Sequence, residues 1–193
     1  DRVRQRLVVL GGRGTSQALR DIWEWDGSNW LLIPEDLPRT ETLRGGFAFD
    51  EARSQWVLTG GAERVPNSSE IFCFDDTWVH RGNTWELAET GPPRAERHTM
   101  AVDLARNRLV LVCEQAPGTW EWDGVRWQRI SSSPAPPRGP TRLVYEEHLA
   151  RMLAIVADPA SPTLQSWIWD GGTWTHLLTP TAPRRGGFDA VYD

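Results

Sequence analysis

Four blocks of this chain each set two tryptophans seven residues apart: Trp23 and Trp30, Trp78 and Trp85, Trp120 and Trp127, Trp167 and Trp174. In three of them a further tryptophan stands two places after the first, at Trp25, Trp122 and Trp169; the second block has His80 there. Of the 12 tryptophans, Trp56 alone lies outside the pattern. A motif that returns with one internal spacing marks a repeat architecture, whose units cannot bury their apolar faces singly and therefore stack. The 193 residues shared among four repeats give about 48 each, room for a four-stranded unit.

A second pattern precedes each block. It runs as a short apolar strand ending in an acid, a turn carrying Arg, and a second apolar strand. The second repeat has it at 45–61, with Asp50 and Arg53; the third at 98–112, with Asp103 and Arg106; the fourth, more loosely, at 143–156, with Glu146 and Arg151. The first repeat is split. Its second strand lies at 6–12 and its first at 188–193, where Asp193 is the acid expected to face Arg4. Each repeat thus predicts four strands. The second is a Val/Leu run, as in a strand covered on both faces. The third carries Trp at alternate positions, on one side of the sheet. Asp26-Gly27, Asp123-Gly124 and Asp170-Gly171 predict hairpin turns to the fourth, and Arg81-Gly82 keeps only the Gly. The stretches 34–38, 92–93, 134–140 and 180–183 hold Pro, which a central strand excludes, and read as connections. Trp30, Trp85, Trp127 and Trp174 are expected to be buried equivalents, because every stacked sheet needs the same large filler.

The Gly pairs that end the second strand (Gly11-Gly12, Gly60-Gly61) and the aromatic-Asp followed by Trp (Trp25-Asp26 with Trp30, and its equivalents) resemble the Kelch-repeat family of β-propellers, of bacterial Kelch-like type. The resemblance spans essentially the whole chain. It departs at Cys113-Glu114 and Ala157-Asp158, which stand where the Gly pairs belong. It implies an all-β, four-bladed propeller with four antiparallel strands per blade, the blades at 186–193 plus 1–34, 44–90, 97–132 and 141–179. The terminal strands would close the ring within one blade. The same split blade could also be completed between two chains, making an eight-bladed ring; a monomer is favoured and a homodimer stays open.

Composition narrows the function. The formal charge is −5 and the 21 basic residues are all Arg, so a general phosphate-backbone binder is not expected, and nucleic acid is no partner. No apolar run reaches membrane-spanning length, and no signal peptide opens the chain. Compartment is left unassigned. Cys73 and Cys113 read as two thiols rather than a disulfide framework. His80, His98, His148 and His176 lie at no ligand spacing, so no metal or cofactor is expected. Copper-radical chemistry in Kelch-type oxidases uses Tyr and His. Here Tyr145 and Tyr192 fall at packing positions of the first strand. Asp75-Asp76 is too small a carboxylate set to carry a calcium site alone. No nucleophile elbow or phosphate loop is present, so no catalytic residues are assigned.

That leaves the loops, where a rigid scaffold commonly places function. Arg44, Arg97, Arg142 and Arg185 each stand just before or at the start of a first strand, the innermost of a blade. They are expected to form a positive collar at the channel mouth, suited to a carboxylate or acidic peptide. The resemblance implies a non-catalytic binding or scaffold domain that engages a protein or acidic peptide partner through this face. A Kelch-type enzyme (oxidoreductase, lyase or epimerase) and a carbohydrate-binding module are the alternatives.

Overall fold

A computed structural model describes residues 1–2, 4–12, 14–15, 17–39, 45–65, 67–92, 94, 97–114, 118–130, 134–178, 183 and 190. The chain is all-β, and its sheets are antiparallel. It forms two compact units, 1–96 and 97–193.

The first unit begins with a three-stranded sheet of β1 (Leu7–Leu10), β2 (Ile22–Trp25) and β3 (Trp30–Ile33). Its second sheet orders β4 (Gly46–Asp50), β5 (Gln55–Thr59), β8 (Asp76–Arg81) and β9 (Thr84–Thr90). Between β5 and β8 a separate hairpin pairs β6 (Ala62–Arg64) with β7 (Ile71–Cys73). Asn67, at a φ of 60°, and the two serines after it supply its turn. The second unit holds β10 (His98–Asp103), β11 (Arg108–Cys113), β12 (Thr119–Trp122) and β13 (Trp127–Ile130) in one sheet. Its other sheet holds β14 (Thr141–Glu146), β15 (Arg151–Val156), β16 (Gln165–Trp169) and β17 (Trp174–Leu177).

Both units are packed in the same way. The second sheet of each turns its Trp-bearing face onto the first. In the first unit Trp56, Leu58, Trp78 and Trp85 meet Ile22, Leu37, Val8 and Leu10. In the second, Trp167, Trp169 and Trp174 meet Val110 and Ala101, with Met152, Ala154 and Tyr145 alongside. Paired rings brace each Trp face: Trp25 and Trp30 centroids are 5.5 Å apart, His80 and Trp85 5.1 Å, Trp122 and Trp127 5.5 Å, Trp169 and Trp174 5.1 Å. Trp174 is 1% exposed and Trp127 is buried, as expected; Trp85 is half-buried. Trp30 is 45% exposed, against expectation. Within the first unit the face it shares with Leu7, Val9 and Leu32 has no sheet over it among the described residues, and those side chains are exposed too. For the same reason β1 is covered on one face only, through Val8 and Leu10, whereas β5 is buried along its length. The strand expected at 188–193 lies outside the described residues, apart from Ala190.

The turn between the inner two strands is one device repeated. Arg53 Nη1 donates to Asp50 Oδ2 at 3.1 Å, Arg106 Nη1 to Asp103 Oδ2 at 3.1 Å, and Arg151 Nε to Glu146 Oε2 at 2.5 Å. In the first sheet Arg4 bonds Asp1, donating through its backbone N to Oδ1 at 3.0 Å and through Nε to Oδ2 at 2.5 Å; Asp193 lies outside the described residues. The three-residue spacing of Asp1 and Arg4 matches that of Asp50 and Arg53. Gly11, Gly12, Gly60 and Gly61 have φ of 56°, 103°, 60° and 92°, which favours Gly. Cys113-Glu114 and Ala157-Asp158 end their strands without a left-handed residue.

The hairpin turns place an Asp where backbone N–H groups converge. Asp26 accepts from the N–H groups of Asn29 and Ser28, and Asp170 from those of Thr173 and Gly172 and from the Thr173 hydroxyl. These bonds hold both carboxyls below the usual Asp range. At Asp123 partial burial pulls upward, but the N–H groups of Arg126 and Val125 outweigh it and the net shift is also downward. A carboxyl lowered by folding lends stability that is complete above the unfolded Asp range and lost as pH falls through the folded value. Titrating the three carboxyls by NMR should place their midpoints below those of the same segments as free peptides; equal midpoints would contradict the turn geometry.

Candidate functional site

The loops beside the third sheet build a cleft of about 180 Å³ in the second unit. One wall is the ends of β11 and β13, through Val112, Cys113, Arg129 and Ile130. The floor is the start of β12, Gly118 and Thr119. The opposite wall is the Pro-bearing segment 135–139 with Thr141. That segment is anchored on the fourth sheet. The Ala157 N–H donates to Pro140 O at 2.9 Å, and Gly139 passes so near that a Cβ on it would lie 2.3 Å from Ala157 O. Thr141 Oγ1 donates back to Gly139 O at 2.9 Å.

The lining is apolar through Val112, Ile130, Pro136 and Pro137, and among the described residues its charged groups are Arg129 and Arg138, with no carboxylate. Thr119 Oγ1 accepts from Trp174 Nε1 at 2.7 Å, so the floor is tied to the fourth sheet. Beneath it Glu121 accepts from Arg106 Nη2 on both oxygens, at 2.6 and 2.5 Å, and from Trp169 Nε1 at 2.8 Å. This network fixes β12, and the cleft it supports presents donors and apolar surface. Such a lining suits the binding of an anion with an apolar body.

Of the four arginines expected to form a collar, Arg44 and Arg185 lie outside the described residues. Arg97 is exposed and donates to Glu114 Oε2 at 3.2 Å. Arg142 is half-buried on β14, its Nη1 donating to Thr141 O at 2.9 Å. Glu114 Oε1 also accepts from the Thr141 N–H at 3.4 Å, joining the edges of the third and fourth sheets. Sequence reasoning passed over Arg129 because it counted loop arginines, and Arg129 sits inside β13.

Other sequence candidates resolve into packing. Asp76 is paired with Arg39, and Asp75 with Arg94 at 2.9 Å. Tyr145 is buried in the core of the second unit, and Tyr192 lies outside the described residues. Cys113 is a buried thiol and Cys73 a half-buried one, with no disulfide between them. His80 stacks on Trp56 at 4.7 Å and meets Glu35 at 3.1 Å.

No family model and no curated protein matches the chain. Among solved structures it is similar to YjhT, with a TM-score of 0.64 at 12% identity. That alignment covers 91% of this chain and 65% of YjhT, so the chain spans about two thirds of that protein. It also aligns with a fucose lectin from Kordia zhangzhouensis, determined in complex with methyl-fucoside, at a TM-score of 0.38 and 11% identity, over 72% of this chain and 99% of the lectin. The first likeness is one of fold.

Proposed function

We propose that the four sheets are blades of a Kelch-like β-propeller and that the chain is a non-catalytic binding domain for an acidic ligand, a peptide above all. The repeated acid–Arg turn, the paired Trp faces and the Gly pairs support the Kelch-like reading. The observation that carries the binding role is the cleft of the third sheet. Among the described residues Arg129 and Arg138 are its charged groups, its walls are apolar, and no titratable pair within it is set for proton transfer. A carbohydrate-binding reading draws on the exposed ring of Trp30. That ring is tilted 48° from Trp25, so it offers one stacking surface rather than a flat two-ring platform.

Fluorescence anisotropy with labelled peptides tests the two readings together. A Glu-rich peptide is expected to bind, with affinity falling as salt rises, and Arg138→Ala is expected to weaken it. A Lys-rich peptide should not bind. Equal binding of both peptides, or competition by methyl-fucoside in place of the acidic peptide, would overturn the acidic-ligand reading.

A further inference from the structure

We infer that the β6–β7 hairpin is a latched arm, hinged on the second sheet at its base and held down along its outer strand by Arg94, whose release lets it lift.

The second sheet is set apart by what lies between its two middle strands. Residues 60–75 separate β5 from β8 and carry a hairpin of their own, whereas among the described residues no strand stands between β1 and β2, β11 and β12, or β15 and β16. β6 and β7 pair with each other and with no third strand among the described residues. A two-stranded hairpin alone in water is marginally stable, so side chains from outside must hold it in place.

Two arginines from two different connections do so, in matching ways. Phe72 and Phe74 stand two places apart and share one side of the chain, their rings edge to face at 5.3 Å. Arg39, from the connection before β4, lies over the Phe74 ring at 4.3 Å and donates to Asp76 Oδ1 and Gly60 O. Arg94, from the connection before β10, lies over the Phe72 ring at 5.6 Å and donates from Nε to Asp75 Oδ2 at 2.9 Å. Each arginine thus pairs with one of two adjacent acids and sets its guanidinium over one of two alternate rings.

The two clamps differ in exposure. The Arg39 side chain is 9% exposed, and the Asp76 it holds also accepts the Trp78 indole N–H at 2.6 Å, so this clamp belongs to the second sheet itself. Backbone bonds reinforce it there: the Gly60 N–H donates to Asp76 O at 3.2 Å and the Phe74 N–H to Gly61 O at 2.9 Å. The Arg94 side chain is 59% exposed and that of Asp75 37%. An exposed pair is weak and salt screens it, whereas a buried pair is screened far less. The outer clamp therefore gives way first, and the arm turns about the bonds at Gly60, Gly61 and Phe74. It carries Ile71 and Phe72, both exposed, and opening uncovers the face of Phe72 that Arg94 occupies. The position of this apolar pair thereby answers to ionic strength.

Hydrogen exchange of the whole chain, read by mass spectrometry at about 0.01 M and about 1 M NaCl, tests the latch, the Debye length falling between them from about 30 to about 3 Å. In wild type the amides of 62–73 should exchange about three- to tenfold faster at high salt, the scale of one exposed ion pair with one exposed cation–π contact. Those of β5 and β8 should keep their rates. Arg94→Gln should show the fast rate already at low salt, with no further response to salt. Arg39→Gln, which strands Asp76, should loosen β8 along with the hairpin. Four results would each refute the latch: equal hairpin protection in wild type and Arg94→Gln at low salt, a wild-type hairpin rate that ignores salt, a wild-type hairpin with no protection at all, or an Arg94→Gln variant that loosens β5 and β8 as much as the hairpin.

Discussion

Trp174→Ala is expected to lower stability by about 3–5 kcal/mol, the range for large aromatic truncations in a core. Trp174 is 1% exposed, lies in the core of the second unit against Trp169, and spends its indole N–H on Thr119 Oγ1. Truncation opens a cavity between the third and fourth sheets and leaves Thr119 without that donor. The melting midpoint should fall on the order of 10 °C. Trp30→Ala at the equivalent position should cost about 1 kcal/mol, because nearly half of that side chain is already in water. Thermal melts of the two variants side by side decide the matter: equal losses would mean that the first sheet's Trp face is covered after all.

Removing Arg106 should be nearly as damaging as removing a core ring. Its guanidinium is shared by Asp103 and Glu121, 3% and 6% exposed. Burial works against the arginine's charge, but the bonds and charges of those two acids outweigh it and hold the proton more firmly than usual. Arg106→Leu strands two buried carboxylates. Breaking one side of a buried pair costs several kcal/mol, and because the Arg106 side chain is 30% exposed the expectation is about 3 kcal/mol. Adding Glu121→Gln should restore part of the loss. Arg151→Leu removes a pair whose partners are 31% and 23% exposed, and should cost under about 1 kcal/mol. Urea midpoints at unchanged slope are the measurement; similar losses at Arg106 and Arg151 would refute this ranking.

Much of the architecture is legible in the residue string, because its strongest signals are local. Trp spacing, Asp-Gly turns and the acid–Arg turn depend on neighbours a few residues away, and the strands lie inside the repeats those signals delimit. What escaped depends on contacts the string does not encode locally. Trp30 looks like Trp174 in sequence, yet it is exposed where Trp174 is buried within its own unit. Arg4 bonds Asp1 and, twenty residues on, Glu24, a pairing onto β2 that no local spacing announces. The candidate site is an intermediate case. Aligning the repeats sets Gly118 against Asp21, Asp76 and Gln165, a difference visible in the sequence. The cleft beside it needs the anchoring of 135–139 on the fourth sheet, which no spacing announces.

Within the first unit no described residue covers the Trp face of the first sheet, and colloidal behaviour there depends on charge. Leu7, Val9, Trp30 and Leu32 form a contiguous apolar surface of the kind that draws copies together. At neutral pH the −5 charge sets copies repelling one another. Near the isoelectric point of about 5.4 that repulsion vanishes while the apolar surface is unchanged. Dispersal of this chain is therefore an electrostatic condition, maintained by acids distributed over the molecule and set against one sticky sheet.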